Sequence, residues 1–541
     1  MPRPRAAPLP LGFQALPVRP PPPPSSQLRS GPNPQAGPSG ADPSTGSPSH
    51  LTLLDTAAQG FTAAQTRTAY ALQGILAQQC ASLWMAGNPA SGQGVASDFW
   101  LPTLQQQHSV TLDRSLLHAN ASFNETLAAL APRMQARHYS LFDAGEASET
   151  LAYTLAGATG ALPISLADEP LAQAAGLTLL HDARGETNAF ALAQYADKLA
   201  DDIANLHSPT AGPQQVDLGV FARSFALMDQ DLNDYQVTKR VRKAGVAHDV
   251  HAMTVLGRPN ALTERIVRRM KNESAIFGWL GSEHPLVEWM GRHGGMTHCS
   301  GGDPNLSTLM NIDVSSGDQR VACLLCLRCV VSARCLCAQA GAQFTQPRPA
   351  PAPEATPSHN TGTHTICFVM SDGDSVAYSV DVLPGAKFFG SAARGQVPLG
   401  WTMGPALSEI SGASVKAYYA NATTKDNFIA GPSGMGYVYP NSYRSMGSFA
   451  RKTAAYMKKS DMKLVNVIAD SLDSNWSQPL LAQDQIEGVI YYNYSDYAGM
   501  CHPSPGLPMA PGCAPIQWVR GKTWTKPVLG GRMNLWSGVG P

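Results

Sequence analysis

From Leu51 the chain alternates short apolar runs with longer stretches of helical spacing. LTLLD (51–55) is short and mostly apolar, which predicts a strand. In TAAQTRTAYALQGILAQQC (62–80) apolar residues recur three and four apart, which predicts a helix, and ASLWMAG (81–87) returns as a strand. The alternation repeats as HYSLFDA (138–144), a helix from Ser148 to Ala156, LPISL (162–166), a helix over LAQAAG (171–176), and LTLLHD (177–182). Apolar runs separated by helices imply a parallel sheet covered on both faces. We expect an N-terminal α/β domain over about 51–215. A mixed connecting region over 216–271 ends in the basic helix TERIVRRMKN, whose charges are most simply a solvated face.

The stretch 272–541 divides into eight strand–loop units. They are AIFGWLG (275–281), GMTHCSG (295–301), TICFVMS (365–371), LGWTMG (399–404), GYVYP (436–440), KLVNVIAD (463–470), GVIYYNY (488–494) and GGRMNLW (530–536). Helical stretches such as HPLVEWMGRHG, SFARKTAAYMKKS and SQPLLAQDQIEG lie between several of them. The expected class is α/β: an N-terminal parallel domain followed by a (β/α)8-barrel-like C-terminal domain. VKAYYAN (415–421) offers a ninth strand, and an open doubly wound sheet is the alternative.

Composition narrows the function. Of 541 residues 14% are charged, and 39 Lys and Arg balance 39 Asp and Glu, so no basic footprint for nucleic acid or an anionic membrane is present. Such a surface suits a neutral partner such as a sugar. The first fifty residues, with a run from Pro20 to Pro24, cannot bury enough apolar surface to order and read as a disordered Pro-rich segment. No apolar core of a secretory signal is visible there. Asn-x-Ser/Thr sequons start at Asn120, Asn124, Asn272, Asn305, Asn421, Asn475 and Asn493, an excess that favours a secreted, extracellular glycoprotein.

Five of ten cysteines fall at Cys323, Cys326, Cys329, Cys335 and Cys337, in an apolar stretch without the Gly turns of a zinc knuckle. Pro- and Ala-rich sequence follows, so 316–362 reads as a low-complexity insertion. Cys501 and Cys513 bracket a Pro- and Gly-rich loop and are either a disulfide or two thiols.

Candidate chemistry follows from a geometric rule: ligands bind at the carboxyl ends of parallel strands. Glu283 follows the first unit, Asp372 and Asp374 the third, Asp470 and Asp473 the sixth, and Asp496 the seventh. Glycoside hydrolysis needs two carboxyl groups across the scissile bond, about 5 Å apart for retention and about 6.5–9.5 Å for inversion. Trp401, Tyr437, Tyr439 and Trp476 offer rings that stack on sugar faces. Each residue has a plainer role. Glu283 serves the first turn of a helix, Asp470 and Asp473 cap or turn, and the tyrosines, two apart on a strand, fill a core. Asp372 and Asp374 also form the D-x-D of a metal–diphosphate anchor.

The stretch GPSGMGYVYP (431–440) contains a full GxGYxYP signature in Gly434, Gly436, Tyr437, Tyr439 and Pro440. With FVMSDGDS (368–375), LGWTMGPAL (399–407) and LTLLDTAAQGFTAAQTRTAYALQGILA (51–77), it resembles the GxGYxYP family of proposed glycoside hydrolases. Ser375 stands where that pattern carries Asn. The resemblance implies a carbohydrate substrate and a glycoside hydrolase. We assign catalysis to Asp372, Asp374, Asp470 and Glu283, and substrate binding to Tyr437, Tyr439, Trp401 and Asp496. No cofactor, nucleic acid or membrane is called for. The alternatives are a non-catalytic carbohydrate-binding protein and a metal-dependent glycosyl-transfer enzyme using Asp372 and Asp374.

Overall fold

The computed structural model describes residues 50–54, 60–78, 83–85, 100, 102, 111–113, 121–207, 215–228, 261–278, 283–299, 344–347, 368–370, 373, 375–493 and 517–520. The Pro-rich first segment, the 323–337 cysteines, Cys501, Cys513 and the unit at 530–536 lie outside them.

The strands are β1 (His50–Leu54), β2 (Leu83–Met85), β3 (Thr111–Asp113), β4 (His138–Phe142), β5 (Leu162–Ser165), β6 (Thr178–Asp182), β7 (Ile203–His207) and β8 (Phe225–Met228). They continue as β9 (Ser274–Phe277), β10 (Gly295–Cys299), β11 (Val369–Met370), β12 (Leu399–Met403), β13 (Asp426–Ala430), β14 (Leu464–Ala469), β15 (Gly488–Asn493) and β16 (Gln517–Arg520). The helices used below are α1 (Ala63–Ala77), α2 (Phe123–Leu130), α3 (Ala147–Thr159), α4 (Glu283–Arg292), α5 (Gly412–Asn421), α6 (Met446–Lys459) and α7 (Ser474–Leu481).

Local sequence sets the helix ends. The Thr62 hydroxyl accepts from the Gln65 amide while the Gln65 side chain accepts from the Thr62 amide, a reciprocal cap on α1. Ser122 and Glu125 repeat it on α2. Gly160, left-handed at φ 74°, ends α3.

The sheets run β2-β1-β3, β5-β4-β6, β10-β9-β7-β8 and β11-β12-β13-β14-β15-β16. All pairings are parallel except β15 with β16. Sequence alternation sorts the last sheet's faces. Trp401, Met403, Phe428, Ala430, Val465, Val467, Val489 and Tyr491 join one large core, while Ile429, Ile468, Ile490 and Tyr492 form a second core on the opposite face. The result is a mixed α/β fold with parallel sheets and a half-barrel in the C-terminal region.

A closed eight-stranded barrel is not formed by the described residues. The units at 275–281 and 295–301 supply β9 and β10; β9 pairs with β7 and β10 with β9, outside the C-terminal sheet. GYVYP makes a single bridge, Tyr437 to Thr297. VKAYYAN belongs to a helix, α5. DNFIA, which carried no strand expectation, is a strand, β13, inside the sheet. Within the expected insertion, the short piece 344–347 is tied into the fold. Phe344 N–H donates to the Lys459 carbonyl, and the Gln346 side chain bonds Phe428 N–H and C=O.

Candidate active site at the carboxyl edge of the C-terminal sheet

After β13 the backbone continues beside β14. The Ser433 hydroxyl accepts from Ile468 N–H at 3.1 Å and donates to Ile468 C=O at 3.2 Å, replacing a strand partner. The chain then crosses to β10, where Tyr437 and Thr297 exchange backbone bonds of 2.8 and 3.1 Å. The motif therefore joins two sheets. Its first glycine, Gly434, sits at φ 141°, and a Cβ there would lie 2.9 Å from the Thr453 hydroxyl. Tyr437 and Tyr439 are 3% and 0% exposed, their rings meet edge to face at 5.6 Å, and their hydroxyls are 3.1 Å apart. They share the second core with Val287, Ile429, Ile468, Ile490 and Tyr492. In this arrangement they fill the inner face of the half-barrel and offer no ring face for a sugar.

Five parallel strands place their carboxyl ends on one edge. Gly373, in the loop after β11, donates its N–H to the Thr402 hydroxyl at 3.0 Å, and Thr402 in turn donates to the Met370 carbonyl at 2.7 Å. A Cβ on Gly373 would lie 1.9 Å from the Thr402 carbonyl oxygen, so only glycine fits this close approach. Three strands along the sheet from β11, Asp470 follows β14 and is exposed. Its N–H and that of Ser471 both donate to the Asn441 side-chain oxygen, at 2.9 and 3.3 Å. Asn441 follows the motif's Pro440 directly, so the motif also holds the β14 loop. Sequence reading missed Asn441 and Thr402; for Asn441, adjacency to the motif was the available signal.

The other expected site residues separate. Asp372, Asp374 and Asp496 lie outside the described residues. Glu283 is the first residue of α4, and its side chain is also outside them. Asp473 caps α7, accepting from Asn475 N–H at 2.8 Å. Trp476 is fully buried and donates its indole N–H to the Ser471 carbonyl. Trp401 is a core residue, 2% exposed, because its strand position turns it to the helix-covered face. Its indole reaches Asp426, at the amino edge of the sheet, at 2.8 Å. Burial would raise the Asp426 pKa, but bonds from Trp401, Thr423 and Arg394 bring it below the ordinary carboxylate value.

A second polar cluster lies between α1, α3 and β7. Fully buried Glu149 accepts from Arg67 Nε at 2.6 Å, the Tyr153 hydroxyl at 2.6 Å and Gly145 N–H at 2.7 Å. His207 Nε2 lies 3.8 Å away, an electrostatic contact beyond hydrogen-bond range. Burial opposes the Glu149 charge, yet the His207 ring, the Arg67 guanidinium and the Tyr153 hydroxyl hold its pKa at about 2. With three donors on its two oxygens and no exposure, Glu149 is a structural anion. Among the described residues no group of three or more His, Cys, Asp or Glu could hold a metal ion. No described helix is long and apolar enough to cross a membrane.

Residues 362–504 match the family described as "GxGYxYP putative glycoside hydrolase C-terminal domain", and residues 138–199 match "GxGYxYP_N second domain". No curated protein matches the chain. Among solved structures, a "putative hydrolase" from Bacteroides thetaiotaomicron VPI-5482 is similar at 18% identity and a TM-score of 0.62, over 82% of this chain and 76% of that one. At that identity the likeness concerns the fold. The chain thus carries the C-terminal domain and the second N-terminal domain of the GxGYxYP family, as the Gly434–Pro440 motif implied.

Proposed function

We propose that the chain hydrolyses a glycosidic bond at the carboxyl edge of the C-terminal sheet, with Asp470 and the acids flanking Gly373, Asp372 and Asp374, supplying the carboxyl pair. The carrying observation is the placement of Gly373 and Asp470 at the same edge of one parallel sheet. One acid protonates the leaving oxygen, and the other attacks the anomeric carbon or activates water. A raised pKa on the donor, from a neighbouring carboxylate, suits work near neutral pH. The full chain assayed on a panel of glycosides tests this. Asp372→Asn, Asp374→Asn and Asp470→Asn, each folded, are expected to lower turnover of an accepted glycoside by about 10²–10⁴-fold for the essential pair. Full activity in all three would remove these acids from the mechanism. Glycan binding with no turnover by the wild type would select a carbohydrate-binding protein instead.

The same reading makes the chain a secreted glycoprotein. The sequon asparagines Asn124, Asn272, Asn421 and Asn475 are exposed, where a glycan could be attached. Enzymatic removal of N-glycans from the native protein is expected to increase its gel mobility; no shift would count against secretion.

A further inference from the structure

The hydrolase reading leaves His298 without a task, although the motif is built around it. His298 is 5% exposed at the end of β10, stacked on Phe277 with ring centroids 5.7 Å apart and planes at 26°. Its other neighbour is the second motif glycine. A Cβ on Gly436 would lie 3.0 Å from His298 Cε1, 3.3 Å from Nε2 and 3.0 Å from Met296 Cβ. Real Cβ atoms rarely come so close, so an alanine here must displace the imidazole or the backbone. The adjacent residues, Thr297 and Tyr437, are joined by both backbone bonds of the bridge. Ring, glycine and bridge thus act at consecutive positions on each strand. One residue further along, the Tyr437 ring is locked against Tyr439, and Asn441 reaches the amide of Asp470.

We infer that His298 is a positioning residue: its ring, seated between Phe277 and Gly436, sets where the motif crosses β10 and so where Asn441 holds the Asp470 loop. Burial and the nearby charge of Lys452 lower the imidazole pKa to about 4, so the seated ring is neutral over the working range of a hydrolase. The inference rests on the proposed hydrolysis only for its effect on turnover. The contact itself is independent of that reading.

A four-variant cycle tests both parts in the full chain: wild type, Gly436→Ala, His298→Ala and the double variant, with His298→Phe as the conservative ring. Gly436→Ala is expected to lower Tm by several degrees, and adding His298→Ala to restore part of that loss, because the obstructing ring is gone. Additive losses in Tm would overturn the contact. At a temperature where every variant is folded, His298→Ala is expected to lower kcat by about 10²-fold with KM within about twofold, the cost of a displaced catalytic loop. His298→Phe is expected to recover most of kcat. Unchanged kcat in His298→Ala, or a loss confined to KM, would overturn the positioning role. Should the wild type turn over no glycoside, the hydrolase reading falls, while the Tm cycle still decides whether His298 and Gly436 are coupled.

Discussion

Two polar regions of the molecule use carboxylates in opposite ways. Glu149 sits between α1, α3 and β7, fully buried, with three donors on its oxygens and a His ring nearby. Asp470 sits at the rim of the C-terminal sheet, exposed, with its backbone N–H held by Asn441. A carboxylate whose acceptor sites are filled by the protein contributes to folding and cannot take part in proton transfer without dismantling its surroundings. A rim carboxylate on a positioned loop costs little to keep and can meet a substrate. The strongest carboxylate cluster in a chain is therefore not by itself the place to look for chemistry.

The comparison breaks most sharply on activity. Asp470→Asn is expected to cost about 10²–10⁴-fold in turnover with little change in Tm, if it belongs to the acid pair. Glu149→Gln is expected to do the reverse at the fold. Leaving Arg67 buried without its counter-charge should cost about 3–5 kcal/mol of stability by denaturant titration. A Glu149→Gln protein of unchanged stability and lost activity would invert the two assignments.

Acid unfolding sharpens the same point. Glu149 titrates at about 2 in the fold against an ordinary 4.5. A depressed carboxylate stabilises the fold above about 4.5, and that contribution disappears as pH falls through about 2. Wild type should therefore lose stability across this window more steeply than Glu149→Gln. Parallel curves would show that Glu149 is not held ionised.

Smaller effects test the residues that sequence placed at the site and structure places in the core. Trp401→Phe removes one donor from buried Asp426 and is expected to cost about 1.5–3 kcal/mol, without changing substrate affinity. A selective rise in KM would return Trp401 to the binding surface. Asp473→Ala removes the cap of α7 and is expected to cost about 1 kcal/mol, with turnover retained at a temperature where the variant is folded.

Much of the fold was legible in residue patterns. LGWTM, LVNVIA and GVIYYN are strands because they are mostly apolar runs suited to burial on both faces. β13 was not legible, because its first residue, Asp426, is polar and buried; only the folded contacts with Arg394, Thr423 and Trp401 make that tolerable. VKAYYAN looked strand-like from its β-branched and aromatic residues. The buried set Val415, Tyr418 and Tyr419, at spacings of three and four, shows the helical signal that residue type concealed. GYVYP has strand composition, but its tyrosines fill the face of a sheet whose strands come from elsewhere.

By itself the sequence determined the alternation of strands and helices, the motif that places the chain in its family, and the absence of a basic footprint. Those are local or compositional properties, readable without knowing what touches what. Tertiary structure alone decided that β9 and β10 join the sheet of β7 and β8, that Trp401 and the paired tyrosines are core, and that Asn441 anchors the β14 loop. Each depends on contacts between distant segments, and the same aromatic or carboxylate is scaffold or site according to which face of which sheet it meets.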